Sequence, residues 1–372
     1  MREGLTIDIA LNKGILQPPS ALTRLLWFLR SNSAVIIPVW TFVAMFLMWW
    51  KLGRDPQAGL SVAPMYEPPK DMRPAEAGTL IDDSVDGRDI TSILVDLAVR
   101  GYLKIEETQS PGLIFHSKDY IFHRVAPSPG DDKLQPFEQV MLNSLFTGGD
   151  STPLSSLRNR FYTALPTIKH DLYAALKRKG MYITDPESAA GYVIMGVLIA
   201  AVPLVICQAL GWLSLLDSPP VFFVSLVVAA LIVVLFGRKL PSKTLQGART
   251  RVAVLGFQEF MNRVDADRLR VLQMTPDHFE KFLPFAMALG VEHHWAQAFT
   301  GMLNQPPNWY VGPQGTMFNP VFFTHSMNNM ANAARDTFVS APRASSGGSG
   351  FGGGGGGGFS GGGFGGGGTG AF

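Results

Sequence analysis

The densest set of ligand-type side chains in the chain is Glu292-His293-His294, with Asp277, His278 and Glu280 a short way upstream. Imidazole and carboxylate groups hold zinc, and on a helix a usable histidine pair sits four residues apart on one face. Adjacent helical residues point about 100° apart, so His293 and His294 cannot share one ion. A metal there would need His278 or its acidic neighbours folded alongside, and exposed helix positions are the plainer reading. No nucleophile and base can be paired by motif either, since the single cysteine, Cys207, lies in an apolar run. The Gly run near the C-terminus lacks the Lys-Ser/Thr of a phosphate loop. No catalytic residue and no cofactor is assigned, and the chain reads as non-enzymatic.

Cations offer a different chemistry. Lys177, Arg178 and Lys179 precede one apolar run, and Arg238, Lys239 and Lys243 follow another. Beside a membrane such residues attract anionic lipid, so these six form a lipid-facing basic cluster. Arg158, Arg160 and Lys169 could extend the first group towards nucleic acid. Against that stand the acidic block Asp82, Asp83, Asp86, Asp89 and Asp96 and a net charge of only +2. Nucleic-acid affinity needs clustered cations, so nucleic acid is a disfavoured partner.

The elements that must position these groups begin with Gly191–Phe236, 46 residues whose only charge is Asp217. A crossing helix takes about 20 apolar residues, so this block holds two spans, 191–213 and 218–236, with Pro219-Pro220 at the turn. A third span, 31–50, is bracketed by Arg30 and Lys51, with Trp27 and Trp49-Trp50 as interfacial belts. Inside the spans only Gln208 and small hydroxyls are polar, a poor transport path for one chain that leaves a homo-oligomer open.

The remaining chain divides around these spans. Residues 1–30 contain Leu5-Thr-Ile-Asp-Ile-Ala-Leu11, a period-two strand without a nearby partner, so the chain is expected either to be truncated there or to donate this strand to another chain. A Pro-rich linker covers 51–73. In 74–130 a short helix at Pro74 precedes a second, capped by Asp89 and lined by Ile90, Ile93, Leu94, Leu97 and Ala98. Gly101 ends it, and a hairpin follows, the order of a winged helix. Residues 131–186 repeat the theme. Phe137, Met141 and Leu145 line one helix, Thr152-Pro153 starts another, and Ile168, Leu172 and Leu176 line a third that ends at Gly180. Residues 237–312 form a small helical unit, with a helix capped by Thr275-Pro276 and lined by Phe279, Phe282, Leu283 and Ala286. Residues 313–343 read as linker. The tail 344–372 has 18 Gly in its last 28 residues and is expected to be disordered, with Phe351, Phe359, Phe364 and Phe372 as its candidate contacts. The fold class is thus an α-helical membrane protein with an α+β cytoplasmic part: three transmembrane helices, tandem winged-helix-like units, a helical unit and a Gly-rich tail.

Charge orients the spans. Segment 51–190 carries 16 Lys and Arg and the segment after 236 carries 11, while the turn at 214–220 carries none. The positive-inside rule makes 51–190 and 237–372 cytoplasmic in a plasma-membrane protein with its amino terminus outside.

Pro74-Ala-Glu-Ala-Gly-Thr-Leu-Ile and Arg88-Asp-Ile-Thr-Ser-Ile-Leu-Val-Asp-Leu-Ala-Val-Arg-Gly-Tyr-Leu-Lys-Ile105 carry a resemblance. So do Thr244-Leu-Gln-Gly247, Leu255-Gly-Phe-Gln-Glu-Phe260, Leu283-Pro-Phe-Ala-Met-Ala-Leu-Gly-Val-Glu292 and the Gly/Phe tail. Together they resemble the YciQ-like predicted bacterial membrane proteins, domain-of-unknown-function family 2207, over about 51–372. The resemblance implies a large exported β-rich domain ahead of the spans, of which this chain carries only the last strand. It implies no activity, substrate or catalytic residue. Three functions are compatible: a scaffold for protein partners at the cytoplasmic face, a membrane-anchored nucleic-acid-binding regulator, or an enzyme or sensor acting through the missing exported domain.

Overall fold

The computed structural model describes residues 19–24, 27, 33–110, 117–126, 133–184, 186–209, 219–303, 305–312 and 318–342. The expected strand at Leu5–Leu11, the turn at Asp217 and the tail with its four Phe contacts lie outside the described residues.

Three apolar helices pack pairwise into a bundle: α1 (Ile36–Met48, continued by a π turn over Trp49–Gly53), α6 (Ala189–Ala209) and α7 (Pro219–Gly237). Their contacts run along seams of four-residue spacing, Ile37, Thr41 and Met45 on α1 and Ser225, Ala229, Val233 and Gly237 on α7. Small residues on such a seam let backbones approach where no hydrophobic effect drives the helices together. Gly196 of α6 sits at the junction, where an added Cβ would lie 2.8 Å from Val233 and 3.2 Å from Met45. The other faces expose Val39, Phe42, Leu231 and Leu235.

Two of these helices, Ile36–Gly53 and Pro219–Gly237, are long and apolar enough to cross a membrane. The expectation of three is corrected to two on this criterion. Helix α6 carries Pro203 in its interior, and its apolar stretch among the described residues is Gly191–Pro203. That stretch rises only about 20 Å against a hydrocarbon core of about 30 Å.

The body starts with α2 (Pro74–Asp82) and α3 (Gly87–Val99). The apolar stripe of α3 is buried as its spacing predicts, and Gly101 follows with φ +82°. The cap of α3 is Asp86, whose carboxylate accepts from the backbone N–H groups of Arg88 and Asp89. Asp89 lies three residues inside and completes the capping box through the Asp86 N–H, 3.0 Å away. That corrects the expected cap at Asp89: two acids of a matched pair were in reach, and the outer one takes the terminus.

Strands β1 (Leu103–Ser110) and β2 (Ser117–Arg124) pair antiparallel with Leu103 opposite Arg124. They do not stand alone as a wing. The sheet has the order β3-β2-β1-β6, with β3 (Ser151–Pro153) antiparallel to β2 and β6 (Tyr310–Val311) parallel to β1. Thr152-Pro153, expected to open a helix, is therefore an edge strand, where Pro gives up no ladder bond. Helices α4 (Pro136–Leu145) and α5 (Leu165–Arg178) follow the predicted stripes. After α5, Gly180 takes φ +69° and β4 (Tyr182–Thr184) pairs with β5 (Ser242–Lys243), across the membrane segment in sequence.

Helices α8 (Leu245–Arg263), α9 (Ala266–Val271), α10 (Pro276–Leu289) and α11 (Glu292–Ala298) come next. The stretch 313–343, expected as linker, contains the 20-residue helix α12 (Pro320–Val339), which buries Phe323, Met327, Met330, Ala334 and Phe338. One core cluster draws on residues from Met72 to Phe338, with Phe257, Phe279, Phe282, Trp295 and Phe299 among its fully buried members.

Candidate functional site

Where the bundle meets the body, the ends of all three apolar helices converge. Trp49 and Gly53 finish α1, Pro186 precedes α6, and Arg238, Lys239 and Pro241 follow α7. A Cβ at Gly53 would come within 2.9 Å of the Lys239 carbonyl oxygen, so this approach is open only to glycine. Between these ends and the loop joining α2 to α3 lies a cavity of 670 Å³, lined also by Arg54, Asp55, Asp82, Asp83, Ser84 and Tyr173.

The wall behind it is a charge clasp. Lys243, only 3% exposed at its side chain, sits on β5 with its ammonium on both carboxylate oxygens of Asp83 and 3.7 Å from Asp55. Its backbone N–H donates to Asp55 Oδ1 at 2.8 Å, tying the chain beyond α1 to the chain beyond α7. Tyr182 on β4 donates to Asp83 Oδ1 at 2.6 Å, and the Lys243 ammonium stands 5.7 Å from its ring. Burial, then the neighbouring Asp83, pushes the Tyr182 phenol upwards, so it stays a donor. Asp83 itself ends α2 with φ +62°, a left-handed conformation that Asp tolerates better than bulkier residues. Tyr173 accepts from the Val85 N–H at 3.1 Å and is pushed up to about 12 by burial. Asp82, also on the cavity, is raised by partial burial and, more weakly, by Asp86 and Asp83.

Three further buried charge groups brace the body. Lys179 reaches Glu76 Oε2 at 2.5 Å. Arg100 bridges Glu138 at 2.7 Å and Asp96 at 3.0 Å. Glu107, between the sheet and α12, accepts from Lys118 at 2.6 Å, from Tyr310 at 2.7 Å and from Ser326. Burial alone would raise Glu107, but these donors together hold it below the usual carboxylate range.

The basic cluster read from the sequence is therefore divided. Lys177 and Arg178 are exposed at the end of α5, and Arg238 and Lys239 are exposed on the cavity. Lys243 is corrected: it faces the protein interior, because two carboxylates there repay its lost hydration. Lys179 likewise turns inward to Glu76. The histidines do not assemble. His278 caps its own helix, with Nδ1 2.8 Å from Thr275 Oγ1. His293 and His294 are exposed, with ring planes 81° apart. Among the described residues no group of three His, Cys, Asp or Glu is placed to hold a metal ion. Sequence reasoning missed Asp55, Asp83, Tyr173 and Tyr182. The doubled acid Asp82-Asp83 between two helices was the available signal, since paired acids without local cations need a distant one.

An apolar bundle joined to one compact, mostly helical body is the architecture of a membrane-anchored protein. The chain belongs to the DUF2207 family: residues 62–299, more than half of its length, match the model described as "Predicted membrane protein (DUF2207) C-terminal domain". No curated protein and no solved structure matches the chain.

Proposed function

We propose that this chain is a multi-pass plasma-membrane protein that holds a non-enzymatic body at the cytoplasmic face as a scaffold for protein partners. The observation that carries the reading is the clasp of Lys243 with Asp83 and Asp55, which fixes the body to the ends of its own apolar helices. A catalytic domain on a flexible stalk has no need of such a joint, whereas a platform that presents a surface in one orientation does. In this reading the apolar hairpin formed by α6 and α7 begins and ends on the same side of the membrane. Support comes from the shared core on both sides of the hairpin in sequence, which requires the start of α6 and the end of α7 to lie on one side. The 16 and 11 Lys and Arg of the two flanking segments favour the cytoplasm for that side. The helix–helix–hairpin order of 74–124 supports a winged-helix-like presenting surface. The regulator reading is weakened because Lys179, one of its cations, is spent on the internal carboxylate of Glu76. Fusing a reporter that is active only outside the cytoplasm tests the topology. It should be active after Asp217 and silent after Gln109, and the reverse pattern overturns the proposal.

A further inference from the structure

The cavity at the bundle–body junction has two walls of opposite charge. On the helix-end wall stand Arg54, Arg238 and Lys239. Among the described residues none of these three has a carboxylate within salt-bridge distance, and Arg54 lies instead 4.4 Å over the Trp50 ring. The loop joining α2 to α3 brings Asp82 and Asp83 to the same cavity, and Asp55 follows Arg54; Asp83 and Asp55 share the cation Lys243, and Asp82 has no cation within salt-bridge distance among the described residues. Charges of both signs thus line one space of about 670 Å³. That volume lies within the roughly 300–1,000 Å³ range of small-ligand sites.

Depth decides what enters. The cavity opens at the ends of the two helices able to cross a membrane, beside Trp49 and Trp50. Tryptophan collects at the level of lipid headgroups. The molecule present there at the highest concentration is a phospholipid, and a zwitterionic one matches a site with two walls. We infer that this cavity binds the headgroup of an aminophospholipid, with its phosphodiester against Arg54, Arg238 and Lys239 and its primary ammonium against Asp82 and Asp83. The inference rests on the reading that α1 and α7 lie in a bilayer. An acid held up by partial burial and by like charges, as Asp82 is, gains from an ammonium beside it. Charge-assisted hydrogen bonds from Arg and Lys are the usual grip on a phosphodiester. A primary ammonium donates three hydrogen bonds where a trimethylammonium donates none, so the site separates phosphatidylethanolamine from phosphatidylcholine. The acidic wall separates it from phosphatidylglycerol, which has no cation.

The test is native mass spectrometry of the full chain, purified in detergent and given an equimolar mixture of those three lipids. Phosphatidylethanolamine should be retained over phosphatidylcholine by about tenfold, the effect of one charge-assisted hydrogen bond. The double variant Arg238→Gln, Lys239→Gln should lose that retention, whereas Asp82→Asn should keep phosphate binding and erase only the preference over phosphatidylglycerol. Soluble glycerophosphoethanolamine, carrying the same charges without acyl chains, should compete weakly if the source is the bilayer. Competition at the strength of the lipid would overturn the bilayer source. Equal retention of all three lipids, or wild-type retention by the double variant when both proteins melt alike, would overturn the site. Alkaline extraction of membranes keeps the two readings apart. A chain that washes off defeats the membrane reading itself, and one that stays but shows no headgroup preference defeats only this inference.

Discussion

Asp96 shows how much a single buried group in this body depends on pH. Burial pushes it up to about 6, with Arg100 at 3.0 Å pulling down and Glu138 pushing up. A folded-state value above the unfolded one means that the folded protein holds the proton more tightly. The stability this adds is complete below about pH 4 and is lost as pH rises through about 6. Asp89, raised well above the usual range by burial and by Asp86, acts in the same direction, and Glu107, held low, acts in the opposite one. Asp96→Asn cannot titrate, so its melting temperature relative to wild type should climb between pH 4 and pH 7. A difference that stays flat across that range would mean that Asp96 is ionised throughout. The clasp offers a second test at this scale. Asp83→Asn keeps the left-handed backbone but leaves the Lys243 ammonium short of a countercharge. Breaking one side of a fully buried pair costs about 3–5 kcal/mol, and the 41% exposure of the Asp83 side chain lowers the expected cost to about 1–3 kcal/mol. Adding Lys243→Met should then cost less than it does alone, and additive losses in the denaturation midpoint would show that the two do not interact. Their pairing was not legible beforehand, because sequence reports how close Lys243 stands to a span and says nothing of which carboxylate, 160 positions away, it meets.

Elements were legible where apolar residues recur at helical spacing. The stripes of α3, α5 and α10 emerged as read, and α10 ends at a left-handed Gly290 with φ +70°. Helix α12 carries the same signal in Phe323, Met327, Met330, Ala334 and Phe338, set in surroundings rich in Asn and Pro. Thr152-Pro153 misled for the reason that Pro opens helices and also sits at sheet edges, so the choice depends on β2 lying alongside. Close approaches between elements were invisible, since they are properties of two backbones at once. Gly247, in the first turn of α8, is the sharpest of them: a Cβ there would stand 2.0 Å from the Met181 carbonyl oxygen. Backbone cannot swing aside as a side chain can. Gly247→Ala should therefore destabilise the body by about 1–3 kcal/mol or more, although Ala is the better helix former by about 1 kcal/mol. A variant that melts at or above wild type would show that β4 and α8 can separate without loss.

At the scale of the molecule, the decisive fact is that residues before and after the apolar hairpin build one core. Sequence reading divides the chain at 186 and 237 because hydropathy changes there, and hydropathy carries no information about which segments later meet. The sheet makes the same point, since β6 lies beside β1 with Ile105 opposite Tyr310, 205 positions apart. Such a body can couple rigidly to its bundle only if the junction is as firmly held as the core. Around Lys243 the bonds are continuous: its N–H to Asp55, the Thr244 N–H to the Met181 carbonyl at 3.0 Å, and the Thr244 hydroxyl to the Gly180 carbonyl at 2.5 Å. Amide hydrogen exchange on the full chain in detergent should find residues 242–244 protected on the same timescale as α10, because opening them requires β4 and β5 to part. Asp55→Ala removes the hydrogen bond and the ion pair that tie this strand pair to the end of α1. It should speed exchange at 243 while leaving the amides of Phe282–Met287 as they were. Fast exchange at 242–244 in the unaltered protein would make the junction a hinge, and the body would then swing beneath the membrane instead of presenting one fixed face.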